Sequence, residues 1–253
     1  MWKKKLYVRN NLTPHPLSRT KIDLFSECRK CFYNDLIHGV RRPHGTPLVL
    51  NNTVIKKFKD EINQYKVDQR IHPVIKNTKQ NFGFLIHPKL VEFQNSFKGI
   101  RYIHKQTNFE IFGSIDDLWY NEDLKKFSII GIKSTSKKEE IRLSDIPDQY
   151  WKQLSFYFYL LNKNAIDMSN EGILVFLNAL KDNSEFNNRL KFTVNYFIKK
   201  LDTLWIENIL NEIFIILQSD FSPPPSKNCK FWRACVNLLW LFRKGYRPRN
   251  FIW

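Results

Sequence analysis

No run of eighteen or more apolar residues occurs in the 253-residue chain, which excludes a membrane-spanning helix from the expected architecture. The basic start, Lys3-Lys4-Lys5, is followed by neither an apolar signal core nor a small-residue cleavage site, so the expected location is the cytoplasm. Cysteine is scarce: four residues are too few for a secreted disulfide scaffold of this length, and in a reducing compartment they read as thiols or metal ligands. Acidic residues are outnumbered, 24 against 41 Lys and Arg. The resulting net charge of +17 favours a polyanionic partner, with nucleic acid ahead of an anionic membrane surface. Internal repeats and long low-complexity runs are also missing.

What is present argues for a folded protein. The chain is 43% apolar and 15% aromatic, with 21 Phe, and its length suffices for one large domain or two small ones. Residues 101–150 form an acidic island, holding 9 of the 24 acidic residues but only 8 of the 41 basic ones. Within it, two strand-like runs, Phe109 to Trp119 and Phe127 to Ile132, flank the polar turn Asn121-Glu122-Asp123 and predict a β-hairpin. Asp116 on the first run and Lys133 at the end of the second come within reach across such a pair, as a site for metal and phosphate or as an ordinary cross-strand charge pair. Asp117, next in the strand, points to the opposite face.

Around this hairpin the pattern is mixed α/β. Ser18 caps a predicted helix from Arg19 to His38 that carries Cys28 and Cys31 on one face, and a second helix runs from Leu50 to Tyr65. An extended piece near Asn81 to Ile86 precedes an apolar segment around Leu90 to Phe97. A helix from Asp148 to Leu161 presents Gln149, Gln153 and Tyr157 as one stripe. Strands follow at Gly172 to Asn178 and Arg189 to Val194, then a long helix over Tyr196 to Ser219. Pro223-Pro224-Pro225 ends regular structure ahead of Cys229 and Cys235. The tail from Trp240 interleaves Arg243, Lys244, Arg247 and Arg249 with aromatic rings, a pattern that binds strand phosphates and bases or packs its rings on the domain.

Several of these pieces resemble one family when taken in order. Leu17-Ser18, Phe25 to Tyr33 with its two cysteines, Gly39 to Pro43, Gly113-Ser114-Ile115-Asp116-Asp117, Ile129 to Ser136, Gln153 with Tyr157, and the closing cysteines are similar to RecB-like proteins of the PD-(D/E)XK nuclease superfamily, a group that includes CRISPR-associated and RecB-type exonuclease-like members. The resemblance implies a restriction-endonuclease-like mixed β-sheet core flanked by helices, with cysteine-bearing segments at both ends. It divides the chain into a flexible arm (1–16), a single nuclease-like domain (17–240) and a basic aromatic tail (241–253). It further implies Mg²⁺- or Mn²⁺-dependent hydrolysis of DNA, single-stranded or at ends. Asp116 and the Ile132 carbonyl would be the metal ligands, Lys133 the catalytic lysine, and Gln153 and Tyr157 the auxiliary pair. Cys28, Cys31, Cys229 and Cys235 would together hold a [4Fe-4S] cluster or a structural zinc.

Two positions depart from the pattern. Gly131 stands where the family has a carboxylate, and Ile55 where it has an acidic residue or His on the preceding helix. The expectation is therefore a nuclease-like DNA-binding protein with a degenerate site. Its alternative is a non-catalytic DNA-binding or protein-interaction subunit of a repair or defence complex. An intact site would make it a metal-dependent exonuclease or endonuclease.

Overall fold

The computed structural model describes residues 5–43, 49–78, 80–181 and 189–232. Cys235 and the segment 241–253 lie outside them. In chain order the elements are β1 (His15–Ser18), α1 (Arg19–Glu27), α2 (Arg29–Ile37), α3 (Val49–Val67), α4 (Pro73–Lys76), α5 (Leu90–Gln94), β2 (Ile100–His104), β3 (Phe109–Gly113), β4 (Asp117–Asn121), β5 (Lys126–Thr135), α6 (Asp148–Lys163), β6 (Met168–Ala179), β7 (Phe192–Lys200) and α7 (Leu204–Gln218). The chain is mixed α/β. None of the described helices is long and apolar enough to cross a membrane.

The described residues fall within two compact units. One draws on Met1–Gly45, Lys105–Phe109 and Glu207–Trp253, the other on Thr46–His104 and Glu110–Ile206.

The larger unit is built on a four-stranded sheet of order β4-β5-β6-β7. β4 and β5 form the expected antiparallel hairpin, Asp117 opposite Ile130 through Asn121 opposite Lys126. Asn121 closes its turn, its Oδ1 accepting from the Asp123 and Leu124 N–H groups at 3.0 and 2.9 Å, while Lys125 takes a positive φ of 54°. β5 then pairs in parallel with β6 through the α6 crossover, and β7 returns antiparallel to β6. Side-chain alternation gives the sheet two faces. Ile130 and Ile132 of β5 join Ile173, Val175 and Leu177 of β6 against Phe58 and Ile62 of α3.

Three expected elements are drawn differently. The run Phe109 to Trp119 is two strands, β3 and β4, separated at Ser114–Asp116. The helix expected over Arg19 to His38 is broken at Cys28, whose φ of −160° and ψ of 106° are extended. Tyr196 to Lys200 belongs to β7, not to the following helix, because Tyr196 and Ile198 alternate onto the same core as Phe192 and Val194.

The smaller unit contains β1, α1, α2 and the greater part of α7. Asp35 is buried on α2 and ion-paired with Lys21 of α1, and the Phe25 and Phe32 rings meet edge-on at 5.1 Å.

Candidate active site and metal centre

In the larger unit the hairpin ladder ends at Asp117 opposite Ile130, so the next β5 residues face no strand partner from β4. A side chain takes over there. Asp116 Oδ2 accepts from the Ile132 N–H at 2.9 Å, and the Asp116 carbonyl accepts from Gln94 Nε2 at 2.7 Å. The second carboxylate oxygen, Oδ1, lies 3.9 Å from Lys59 Nζ. Lys133 follows on β5, on the face toward α6: its Nζ donates to Gln153 Oε1 at 2.7 Å and lies 4.7 Å from the centroid of the Tyr150 ring. One helical turn beyond Gln153, the Tyr157 ring packs over Gly113, where an added Cβ would come within 2.6 Å of Cε1. That close approach requires a glycine.

Asp116 thus meets the Ile132 N–H where β4 and β5 part, Lys133 on the next β5 residue meets Gln153, and Tyr157 covers Gly113. Three further residues were not anticipated from the sequence. Tyr150 was legible in principle, three residues before Gln153 on the same helical stripe, whereas Lys59 and Gln94 reach the site through tertiary packing that no local pattern announces.

Three other carboxylates, Asp117, Glu61 and Asp145, are engaged elsewhere. Asp117 points away from Asp116, as strand alternation requires, and accepts from Lys66 Nζ with both oxygens at 2.8 Å, from the Leu118 N–H at 2.8 Å and from Trp119 Nε1 at 2.9 Å. Glu61 bonds His72 at 3.1 Å, and Asp145 accepts from the Arg142 N–H at 3.0 Å. Ile55 packs against the apolar cluster around Phe58 and Ile62, so the α3 residue that reaches Asp116 is a lysine. Among the described residues, Asp116 belongs to no group of three His, Cys, Asp or Glu side chains close enough to share an ion. At Gly131 a Cβ would meet Leu174 Cδ2 at 2.9 Å and Leu154 Cδ2 at 3.0 Å. The space into which a side chain would grow is filled by two leucines.

In the smaller unit, Cys28, Cys31 and Cys229 are buried, with their sulfurs all within 4.8 Å of one another. The extended residue between α1 and α2 is Cys28 itself, and Cys31 lies in the first turn of α2. Cys31 and Cys229 Sγ are 3.5 Å apart, and Cys229 Sγ receives the Trp232 N–H at 3.4 Å and Arg42 Nη2 at 3.7 Å. Burial raises the Cys28 thiol, but hydrogen bonds from the Ser226 and Cys31 backbone and from the Cys229 and Cys31 side chains outweigh it and bring the thiol down to about 6. Burial pushes Cys31 up to about 12, with Arg42 opposing and the neighbouring sulfurs adding to the rise. Clustered buried sulfurs with N–H donors around them suit a thiophilic ion, so this group can hold a metal such as zinc.

No family model matches the chain, and no curated protein matches it by sequence.

Proposed function

We propose that this chain is a RecB-like, PD-(D/E)XK-type protein that binds DNA without hydrolysing it. The state of the site carries this reading. Asp116 bonds the Ile132 N–H and the neighbouring Lys133 bonds Gln153, yet the position of the missing acid is packed with Leu154 and Leu174, and Asp116 faces Lys59. The sheet order supports the fold assignment, because an antiparallel hairpin, a helical crossover and a parallel strand put the aspartate, the lysine and the helix residues in the family's sequence.

A hard divalent ion is usually fixed by one or two carboxylates together with waters and substrate phosphates. Here one carboxylate with an oxygen already bonded remains, and an ammonium stands where positive charge would be wanted. Lys59 and Lys133 then attract phosphate directly, while the Asp116 and Gln153 side chains orient them. The group of Cys28, Cys31 and Cys229 serves the same protein as a structural metal clamp. Tetrahedral zinc with bonds of ~2.3 Å has sulfurs about 3.8 Å apart, so the close spacing of the three thiols favours a single ion over a four-iron cluster.

The test combines cleavage and binding. Labelled single- and double-stranded DNA is incubated with Mg²⁺ or Mn²⁺, and affinity is measured by fluorescence polarisation with and without EDTA. Expected are no metal-dependent products, EDTA-insensitive binding, and affinity several-fold weaker in Lys59→Ala and Lys133→Ala. Cleavage that disappears in Asp116→Asn would make the chain an active nuclease and overturn the reading. Absence of both cleavage and salt-sensitive affinity would leave a protein-interaction subunit.

A further inference from the structure

One edge of the larger unit's sheet belongs to β7. All nine of its residues pair with β6 without a bulge, from Phe192 opposite Ala179 to Lys200 opposite Glu171. Among the described residues no strand lies on its other side. Along an antiparallel strand every second residue turns its N–H and C=O away from the paired neighbour, so this edge presents a row of unpaired backbone donors and acceptors. Natural edges are blunted by proline, by a bulge or by a charged side chain. The run Phe192 to Ile198 has none of these.

Beside that edge lies a groove of about 1030 Å³ between β7 and the first half of α3. Leu50 and Val54 of α3 and Phe192 and Val194 of β7 line it, together with the buried Phe58 and Leu177. At its rim Leu50 is 61% and Leu190 47% exposed, so large apolar side chains are left to solvent there. The charges around it have one sign. The single carboxylate of the lining, Glu61, is bonded to His72 at 3.1 Å, whereas Lys57 and Arg189 have no acidic partner among the described residues. Lys191 precedes β7, and Lys199 and Lys200 end it, so exposed basic residues stand at both ends of an uncharged strand. Lys59, two residues beyond Lys57, is turned by about 200° around the helix and meets Asp116 instead, which separates the groove from that site.

We propose that β7 and this groove bind an extended peptide segment of a partner protein, added to the sheet edge as a further strand. Its apolar side chains, at every second position, enter the groove, and acidic residues flank them. Main-chain pairing supplies affinity in such an arrangement, and the groove beside the edge supplies specificity. A second copy of this chain fits poorly. β7 paired antiparallel with its own copy about Tyr196 sets Lys200 opposite Phe192 of the other copy and next to its Lys191, and each copy carries a net charge of +17. A nucleic-acid strand matches the lysines but not the apolar walls or the backbone edge. The inference is independent of the DNA-binding reading above.

The experiment selects nonamer peptides from a random phage-displayed library on the full-length protein and measures the selected sequences as labelled synthetic peptides by fluorescence polarisation. Expected are sequences with apolar residues at every second position and acidic ends, and slowed amide hydrogen exchange at alternate residues of β7 when the peptide is bound. N-methylation of one alternating set of peptide amides should weaken binding about tenfold or more, and methylation of the other set should be tolerated, because only one set faces β7. Leu50→Glu and Arg189→Glu, both at exposed positions on which the fold does not rest, should weaken it about tenfold and several-fold. No enrichment from the library, unchanged exchange in β7, or affinity indifferent to N-methylation or to Leu50→Glu would overturn the proposal. Displacement of the peptide by a short single DNA strand would assign the groove to nucleic acid, and a dimer in sedimentation that blocks the peptide would assign it to a second copy; either result overturns it.

Discussion

At Asp117 both carboxylate oxygens are occupied by Lys66, the Leu118 N–H and the Trp119 indole, in an environment where Lys66 is 4% and Asp117 2% exposed. Asp116, one residue earlier, faces the site instead. A buried ion pair is weak evidence for stability in itself, but removing one partner strands a charge in an apolar medium. Lys66→Met is therefore expected to destabilise the fold by about 3–5 kcal/mol. The double variant Lys66→Met/Asp117→Asn should fall short of the sum of the two single losses, because the neutral amide retains acceptor and donor capacity without a stranded charge. Urea midpoints of the four proteins check this, and full additivity would mean that the two residues act independently. The sequence announced the opposite orientation of the two aspartates through the period of two along a strand. It could not announce Lys66, because the partner is 51 residues away and one lysine among 41 Lys and Arg has no local mark.

Elements show where local pattern reaches its limit. α3 and α6 were legible because apolar residues recur at helical spacing, and β5 and β6 because buried strands read as continuous apolar runs. The break at Cys28 was not, since neither Gly nor Pro marks it; the extended residue brings Cys28 and Cys31 within reach of Cys229, nearly two hundred positions later. The end of β7 was hidden differently. Its period-two pattern runs into the period-3.6 pattern of α7, and the boundary lies at Asp202, whose Oδ1 accepts from the Leu204 N–H at 2.9 Å. If the break between α1 and α2 is held by metal, the purified protein carries about one ion per chain by elemental analysis. Cys31→Ser then loses the metal and lowers the melting temperature by several degrees or more, since metal binding is coupled to folding. Metal-free protein with an unchanged melting temperature in Cys31→Ser would identify the three cysteines as ordinary buried thiols. A visible absorption band would replace zinc by an iron–sulfur cluster.

For the whole molecule, the formal charge of +17 makes a prediction that is independent of any one residue. The excess is spread along the chain outside residues 101–150, where 33 basic residues stand against 15 acidic ones, so the proposed DNA complex would contact several phosphates at once. Each phosphate neutralised releases condensed counterion, giving a slope of roughly −0.7 in log K against log salt for every contact on a single strand. With about four to six contacts the expected slope is roughly −3 to −4, a loss of roughly two orders of magnitude in affinity between 50 and 200 mM salt. The slope also separates two roles for the site lysines. If Lys59 and Lys133 touch phosphate, Lys59→Ala and Lys133→Ala each reduce its magnitude by about 0.7; if they only brace Asp116 and Gln153, affinity falls while the slope remains unchanged. A wild-type slope near zero would mean that the basic charge is compositional and that the preferred partner is not a polyanion.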